Sequence, residues 1–273
     1  MENLKKQHDV NIIEDDEDVE EIKDFFLIES RLNPIFTFEN FVEEDCNESA
    51  ILMGRWCVKP HHQSGGVIDK CYFYGNTGTG KTHLVNAIGN AIKQEYPEKN
   101  VLYVDAYTFE HQYYCATFDN EREAFLRFYK SADVLIVDDI QLFANKEVTQ
   151  HAFLQIFNHL EQNGKQILLT TDCPRYDLFK HFNKRLFSRI SGMIAEPLRT
   201  PNCQMMRDIL CKKYPEIKDE IVVDYIAKKI PSDVRALDGV AKTIIAYLTK
   251  NPKLDYERVK SIVSLWTEKQ LEL

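Results

Sequence analysis

YGNTGTGKTH runs from Tyr74 to His83, and its reading decides the fold. Gly75, Gly78 and Gly80 stand beside Thr79, Lys81 and Thr82. Glycine, four residues, glycine, lysine, threonine is the pattern of a phosphate-binding loop. Such a loop works through its backbone. Glycines let the chain curl so that N–H groups converge, and the next helix adds the positive end of its dipole. On this reading Gly75, Gly78, Thr79 and Gly80 cradle the phosphates and Lys81 reaches the terminal ones. The Thr82 hydroxyl holds a magnesium ion. The motif requires a strand before it and a helix after it.

Both are predicted. CYFYG, Cys71 to Gly75, is an aromatic run ending in glycine, a buried strand. After the loop, Leu84, Ile88, Ala91 and Ile92 recur at helical spacing. The alternation continues with a strand at Val101–Ala106 and a helix at Glu121–Tyr129. A fully buried strand, Ala132–Asp139, follows, then a helix at Thr149–Gln162 and a strand at Gln166–Asp172. Upstream, Glu48–Val58 reads as a helix and Ser64–Gly66 as a turn. Strands alternating with helices predict a parallel sheet covered on both faces. Beyond Pro201 the apolar spacing is helical only, at Gln204–Tyr214, Glu220–Ile230, Asp233–Lys250 and Tyr256–Thr267. The expected architecture is α/β. Residues 32–198 form the nucleotide-binding sheet domain, 199–268 a small all-helical lid, and 269–273 the C-terminal end.

Composition bounds the rest. A 273-residue chain with 44% hydrophobic residues suits one large domain or a medium one plus a small one. Its net charge of −9 is uneven: EDDEDVEEIKD, Glu14 to Asp24, alone carries eight acids and one lysine. Such a block predicts a solvated, disordered arm over residues 1–31. No basic block matches it, which argues against a domain dedicated to duplex DNA. Seven cysteines without a CxxC spacing read as reduced thiols, and His61-His62 as loop residues. No apolar run is long enough to cross a bilayer and no leader is seen, so a cytoplasmic location is expected.

Two carboxylates end the buried strand VLIVDDIQ, at the edge where open parallel sheets bind ligands. Asp138 would reach the magnesium, and Asp139 would orient or deprotonate an attacking water. TTDCPR ends the next strand with Asp172, placed to touch a γ-phosphate or its water. KRLFSRI sets Arg185 and Arg189 four apart on one helix face. IPSDVRALDGV starts a helix at Ser232 and puts Arg235 in its first turn, where the dipole disfavours a cation. An anionic partner such as a nucleotide phosphate would explain it; pairing with Asp233 or Asp238 is the alternative.

LNPIFTFENFV, YGNTGTGKTHLVNAIG, VLIVDDIQLFANKE, TTDCPR, KRLFSRI and SDVRALDGV occur in this order. Together they resemble the AAA+ core of the bacterial replication initiator family DnaA, over roughly Leu32 to Leu265. The resemblance implies binding of ATP or ADP with Mg2+ and a part in initiating chromosomal replication or regulating it. It gives the segment beginning Leu32-Asn33 the border of the adenine, and Asp172 and Arg235 the two sensor roles. Arg189 becomes an arginine finger that reaches ATP on a neighbouring subunit, with Arg185 as its companion. The implied partners are copies of this chain or a DnaA-type initiator, joined through ATP-bridged contacts.

The chain also departs from the family. Within these 273 residues the expected tail is short and acidic, and no stretch after the expected lid matches the family's domain that reads duplex DNA. The family holds single-stranded DNA with basic residues after the acidic pair. Here Lys146 is kept, but Val148 stands where an arginine is common. The family's glycine after the adenine segment is replaced near Glu44. Short relatives of this kind, such as Hda, contact the sliding clamp, and QLEL at Gln270–Leu273 resembles a clamp-binding peptide. A slow ATPase is expected, because an aspartate at 139 has a short reach. The alternatives are an ATP-dependent factor that coats single-stranded DNA and a sensor that binds nucleotide without hydrolysing it.

Overall fold

The computed structural model describes residues 32–59, 69–174, 177, 180–230, 233–250 and 255–268. The acidic arm, His61-His62, the Ser64–Gly66 turn, Arg175, Ser232 and the QLEL end lie outside the described residues.

Strands and helices alternate as the apolar periods predict. Helix α1 (Glu48–Val58) precedes strand β1 (Lys70–Tyr74), which feeds the phosphate loop and α2 (Lys81–Glu95). Then come β2 (Val101–Asp105), α3 (Ala106–Phe118), α4 (Arg122–Lys130) and β3 (Val134–Asp138). A 3-10 helix (Ile140–Phe143) leads to α5 (Glu147–Gln162), β4 (Gln166–Thr171), α6 (Lys184–Ser191) and β5 (Ile194–Pro197). The lid follows as α7 (Cys203–Lys213), α8 (Glu220–Lys229), α9 (Val234–Lys250) and α10 (Tyr256–Glu268). All described strand pairs are parallel, in the order β2-β3-β4-β1-β5.

The central strands are buried on both sides because helices cover both faces. Cys71, Phe73, Val134, Ile136 and Leu168 face the layer that contains α1 and α2. Tyr72, Leu135, Val137, Ile167 and Leu169 face an aromatic layer built from α3, α4 and α5, with Phe109 at its centre. The apolar residues from Met205 onward gather in a third cluster of their own. The segment from Phe38 to Cys46 joins the two regions. Phe38 and Phe41 pack with the α1–α2 layer, while Val42 and Cys46 pack on the lid cluster.

Besides the short 3-10 helix, two elements escape the sequence reading. Helix α3 is one, because aromatic residues ring it: Tyr107, Tyr114 and Phe118 are exposed while Phe109 is buried. No single apolar stripe marks it. Its start is nonetheless written locally. Asp105 caps it, its carboxylate accepting from the Thr108 N–H at 2.8 Å and from the Thr108 hydroxyl at 2.7 Å. Strand β5 is the other. Four residues on the sheet edge, half-buried or exposed, carry too little pattern to be read. The predicted strand Ala132–Asp139 is shortened at both ends. Asp139 leaves the sheet with φ 57° and ψ 47°, starting the 3-10 helix.

Candidate functional site

The parallel register brings the strand ends to one edge. Asp105 lies beside Asp138, and Tyr74 beside Thr171 and Pro197. The residues that follow these tips, namely the phosphate loop, Asp139 and Asp172, therefore share that edge.

The loop is held in its curl. Gly75 donates to the Thr171 carbonyl at 3.2 Å, and a Cβ on it would meet the Leu198 carbonyl oxygen at 2.1 Å. Gly78, at φ 76°, approaches the lid so closely that a Cβ would lie 2.0 Å from Asp233 Oδ1. Its carbonyl accepts the Val234 N–H at 3.1 Å, so the N-terminus of α9 sits on the loop. Lys81 Nζ folds inward and donates to the carbonyls of Gly75 at 2.8 Å and Asn76 at 3.0 Å. Burial pulls its pKa below the ordinary lysine value, while the charges of Asp139, Asp138 and Asp172 push it back up. Arg235 is near enough to act on the same ammonium.

Asp138 is buried and surrounded by hydroxyls. Thr82 Oγ1 and the Tyr103 hydroxyl donate to its Oδ2 at 2.7 and 2.9 Å, and Thr170 Oγ1 donates to Oδ1. Burial raises its pKa above the usual carboxylate value, and the hydroxyls work against that rise. Burial beside this carboxylate also raises the Tyr103 phenol, which keeps it a donor. Thr170 accepts the Asp139 N–H at 2.8 Å. Gln141 bonds both Asp139 and the Asp172 backbone. Neither Tyr103, Thr170 nor Gln141 is singled out by the motifs. The available signal was polarity at strand tips otherwise filled by aliphatics.

A cavity of about 230 Å3 opens beside Thr79 and Gly80, between the sheet domain and the lid. Phe36, Phe41, His83, Met205, Ile209 and Val234 help line it. Leu32 and Asn33 lie earlier in the segment and anchor it. Leu32 fills the notch over Gly89. Asn33 donates its N–H to Asn86 at 2.7 Å and accepts from Asn90 at 2.8 Å. The cavity wall begins with Ile35 and Phe36. The His83 ring stacks on Phe36 at 4.6 Å and meets Phe41 edge-on at 4.7 Å. Its Nε2 bonds the Thr37 carbonyl and Asn40 Oδ1, so this nitrogen carries the proton.

Burial lowers the His83 pKa, the bond to the Thr37 carbonyl works against that fall, Lys213 and Lys212 of the lid lower it further, and Asp238 offsets them in part. The neutral ring is thus the folded form. Its contribution to stability is complete above an unfolded pKa of about 6.5 and is lost as pH falls toward the lower folded value. The melting temperature of the wild type should therefore fall between pH 7 and pH 5.5. A His83→Phe variant should lose less, and equal pH slopes in the two would contradict the assignment.

The arginines lie apart. Arg235 donates its backbone N–H to Asp233 Oδ1 at 2.7 Å, and its side chain makes no ion pair among the described residues. Asp238, the alternative partner, is taken by Lys213 at 2.6 Å. Asp233 precedes α9, so it caps the helix rather than standing in its first turn. Arg189 bonds Asn158 at 3.0 Å and Glu161 at 3.2 Å. Glu161 also holds Lys70, the first residue of β1. The phosphate loop follows the last residue of that five-residue strand, roughly 15 Å away at about 3.3 Å per residue. Arg185 is exposed on the same helix. Lys146 is ion-paired with Glu110 of α3, and Val148 is exposed.

Residues 32–196 match the family model described as the bacterial DnaA ATPase domain. This chain belongs to that family. The DnaA initiator of Flavobacterium psychrophilum is 38% identical over 241 residues, covering 86% of this chain and 50% of that protein. The chain thus spans about half the length of the curated relatives it matches. Domain III of Thermotoga maritima DnaA superposes with a TM-score of 0.81 at 27% identity, covering 87% of this chain and 99% of that one. A DnaA initiator solved with AMPPCP and single-stranded DNA gives 0.72 at 30% identity, covering 82% and 70%. The DnaA resemblance read from the motifs is confirmed, as is the α/β AAA+ fold. No helix among the described residues is long and apolar enough to cross a membrane.

Proposed function

We propose that this chain is an ATP-dependent assembly module of the DnaA type, acting in the initiation of chromosomal replication or its control. Lys81 and the loop amides receive the phosphates, the aromatic cavity receives the adenine, and Arg235 brings the lid onto the nucleotide. Thr82 and Asp138 suit Mg2+: a hydroxyl and a carboxylate, 2.7 Å apart, are hard oxygen donors that leave positions for phosphate and water. When bound, the ion would neutralise charge on the phosphates. Asp139 orients water for slow hydrolysis and Asp172 senses the γ-phosphate.

One observation carries the assembly reading. Arg189 is tethered at the start of β1 while the phosphate loop follows its end. Arg189 therefore serves a neighbour's nucleotide and not its own, so assembly depends on ATP. The partner is a second copy or a DnaA-type initiator. Sedimentation of the chain with ATP and with ADP tests this. A larger species with ATP alone supports it, and identical profiles in both nucleotides overturn it.

A second reading is a factor that coats single-stranded DNA, supported by the DNA-bound relative. The pairing of Lys146 with Glu110 and the apolar Val148 weigh toward protein contacts instead. Anisotropy of a fluorescent oligo-dT strand separates the two: binding that requires ATP favours the filament. Contact with a sliding clamp through Gln270–Leu273 is a further proposal, tested by deleting those residues and measuring clamp binding.

A further inference from the structure

One side-chain amide joins the two acidic strand tips. Gln141 Nε2 donates to Asp139 Oδ1 at 3.1 Å, and Gln141 Oε1 accepts the Asp172 N–H at 3.2 Å. The two ends of the amide are not interchangeable. Reversed, it would set oxygen against carboxylate and N–H against N–H. Gln141 is held for this task by the 3-10 helix, which starts from Asp139 in the left-handed region. A non-glycine residue there is sparsely populated and persists only where its surroundings hold it. Asp139 is gripped at both ends: Thr170 of β4 accepts its N–H, and Gln141 fastens its carboxylate to the residue just after β4.

We propose that Gln141 is a positioning residue that keeps the Asp139 carboxylate in register with Asp172. The water at Asp139 and the γ-phosphate at Asp172 are then placed relative to each other before hydrolysis. This rests on the hydrolytic reading of Asp139 and Asp172 given above. Gln141 acts through these two residues and not on the nucleotide itself.

Two variants of similar size divide its functions. Gln141→Glu still accepts from the Asp172 N–H but opposes Asp139 with a second carboxylate. Gln141→Met does neither. Both should bind ATP within about twofold of wild type, because neither changes a loop contact. Turnover should fall about tenfold in Gln141→Met and about a hundredfold in Gln141→Glu, the scale of a misplaced catalytic group. Amide exchange at Asp172 in the nucleotide-free protein should speed up about tenfold in Gln141→Met and stay near wild type in Gln141→Glu. A merely structural role would instead make melting temperature, ATP affinity and turnover fall together, and that result overturns the proposal. So does wild-type turnover in Gln141→Glu. A wild type that binds ATP without releasing phosphate removes the hydrolytic reading, and the proposal with it.

Discussion

Replacing Lys81 by alanine should weaken ATP binding by about a hundredfold while the chain stays folded. A charge-assisted hydrogen bond to phosphate contributes about 1.5–3 kcal/mol, and the upper end corresponds to a factor of roughly 150. Two opposing effects act on the fold. The ammonium is buried, which costs free energy, yet it donates to the carbonyls of Gly75 and Asn76. Losing two bonds at about 1 kcal/mol each is offset by removing a desolvated charge. The net change in stability should stay near 1 kcal/mol, a few degrees in melting temperature. Calorimetric titration with ATP beside thermal melting checks both. Near-normal ATP affinity in the variant would mean that the loop amides alone hold the phosphates.

Arg189→Ala should bind ATP like wild type and fail to assemble. Its distance from the loop of its own chain is the reason. An arginine supplied across an interface contributes about 10³–10⁵ in phosphoryl transfer, so any hydrolysis that accompanies assembly should fall at least about a hundredfold. The fold should barely notice. The Arg189–Glu161 pair is half exposed, and such pairs are worth about 0–1 kcal/mol. Sedimentation and ATP titration of the same preparation separate the roles. Assembly equal to wild type would remove the trans role. Lost affinity for ATP would mean that the residue serves its own site.

Motifs with strict local geometry were legible because their residues act on near neighbours. The spacing from Gly75 to Thr82 needs only a tight turn and a helix start, and both are encoded within ten residues. The buried strand at Val134–Asp138 was visible because four consecutive aliphatics cannot lie on a wet surface. Arg235 stood out because a cation in a first helical turn wants an anion. The aromatic ring of residues around α3 hid a helix, and the short edge strand β5 carried too little pattern to be read.

The segment read as the adenine border shows the limit best. LNPIFTFENFV announced a compact apolar segment, but not which of its residues face the cavity. That depends on Asn86 and Asn90, more than fifty positions later, which fasten Asn33 and set the cavity two residues further on.

The linear order of residues was enough for the α/β alternation, the phosphate loop, the acidic pair and the helical lid. Each arises from periodicity or from contacts within a few residues. The order of the strands, the hydroxyl ring around Asp138 and the bridge from Asp139 to Asp172 were not available at that level. Nor was the separation of Arg189 from the phosphate loop. They depend on which strand ends a parallel sheet sets side by side, and side chains about thirty positions apart meet only after the sheet has closed.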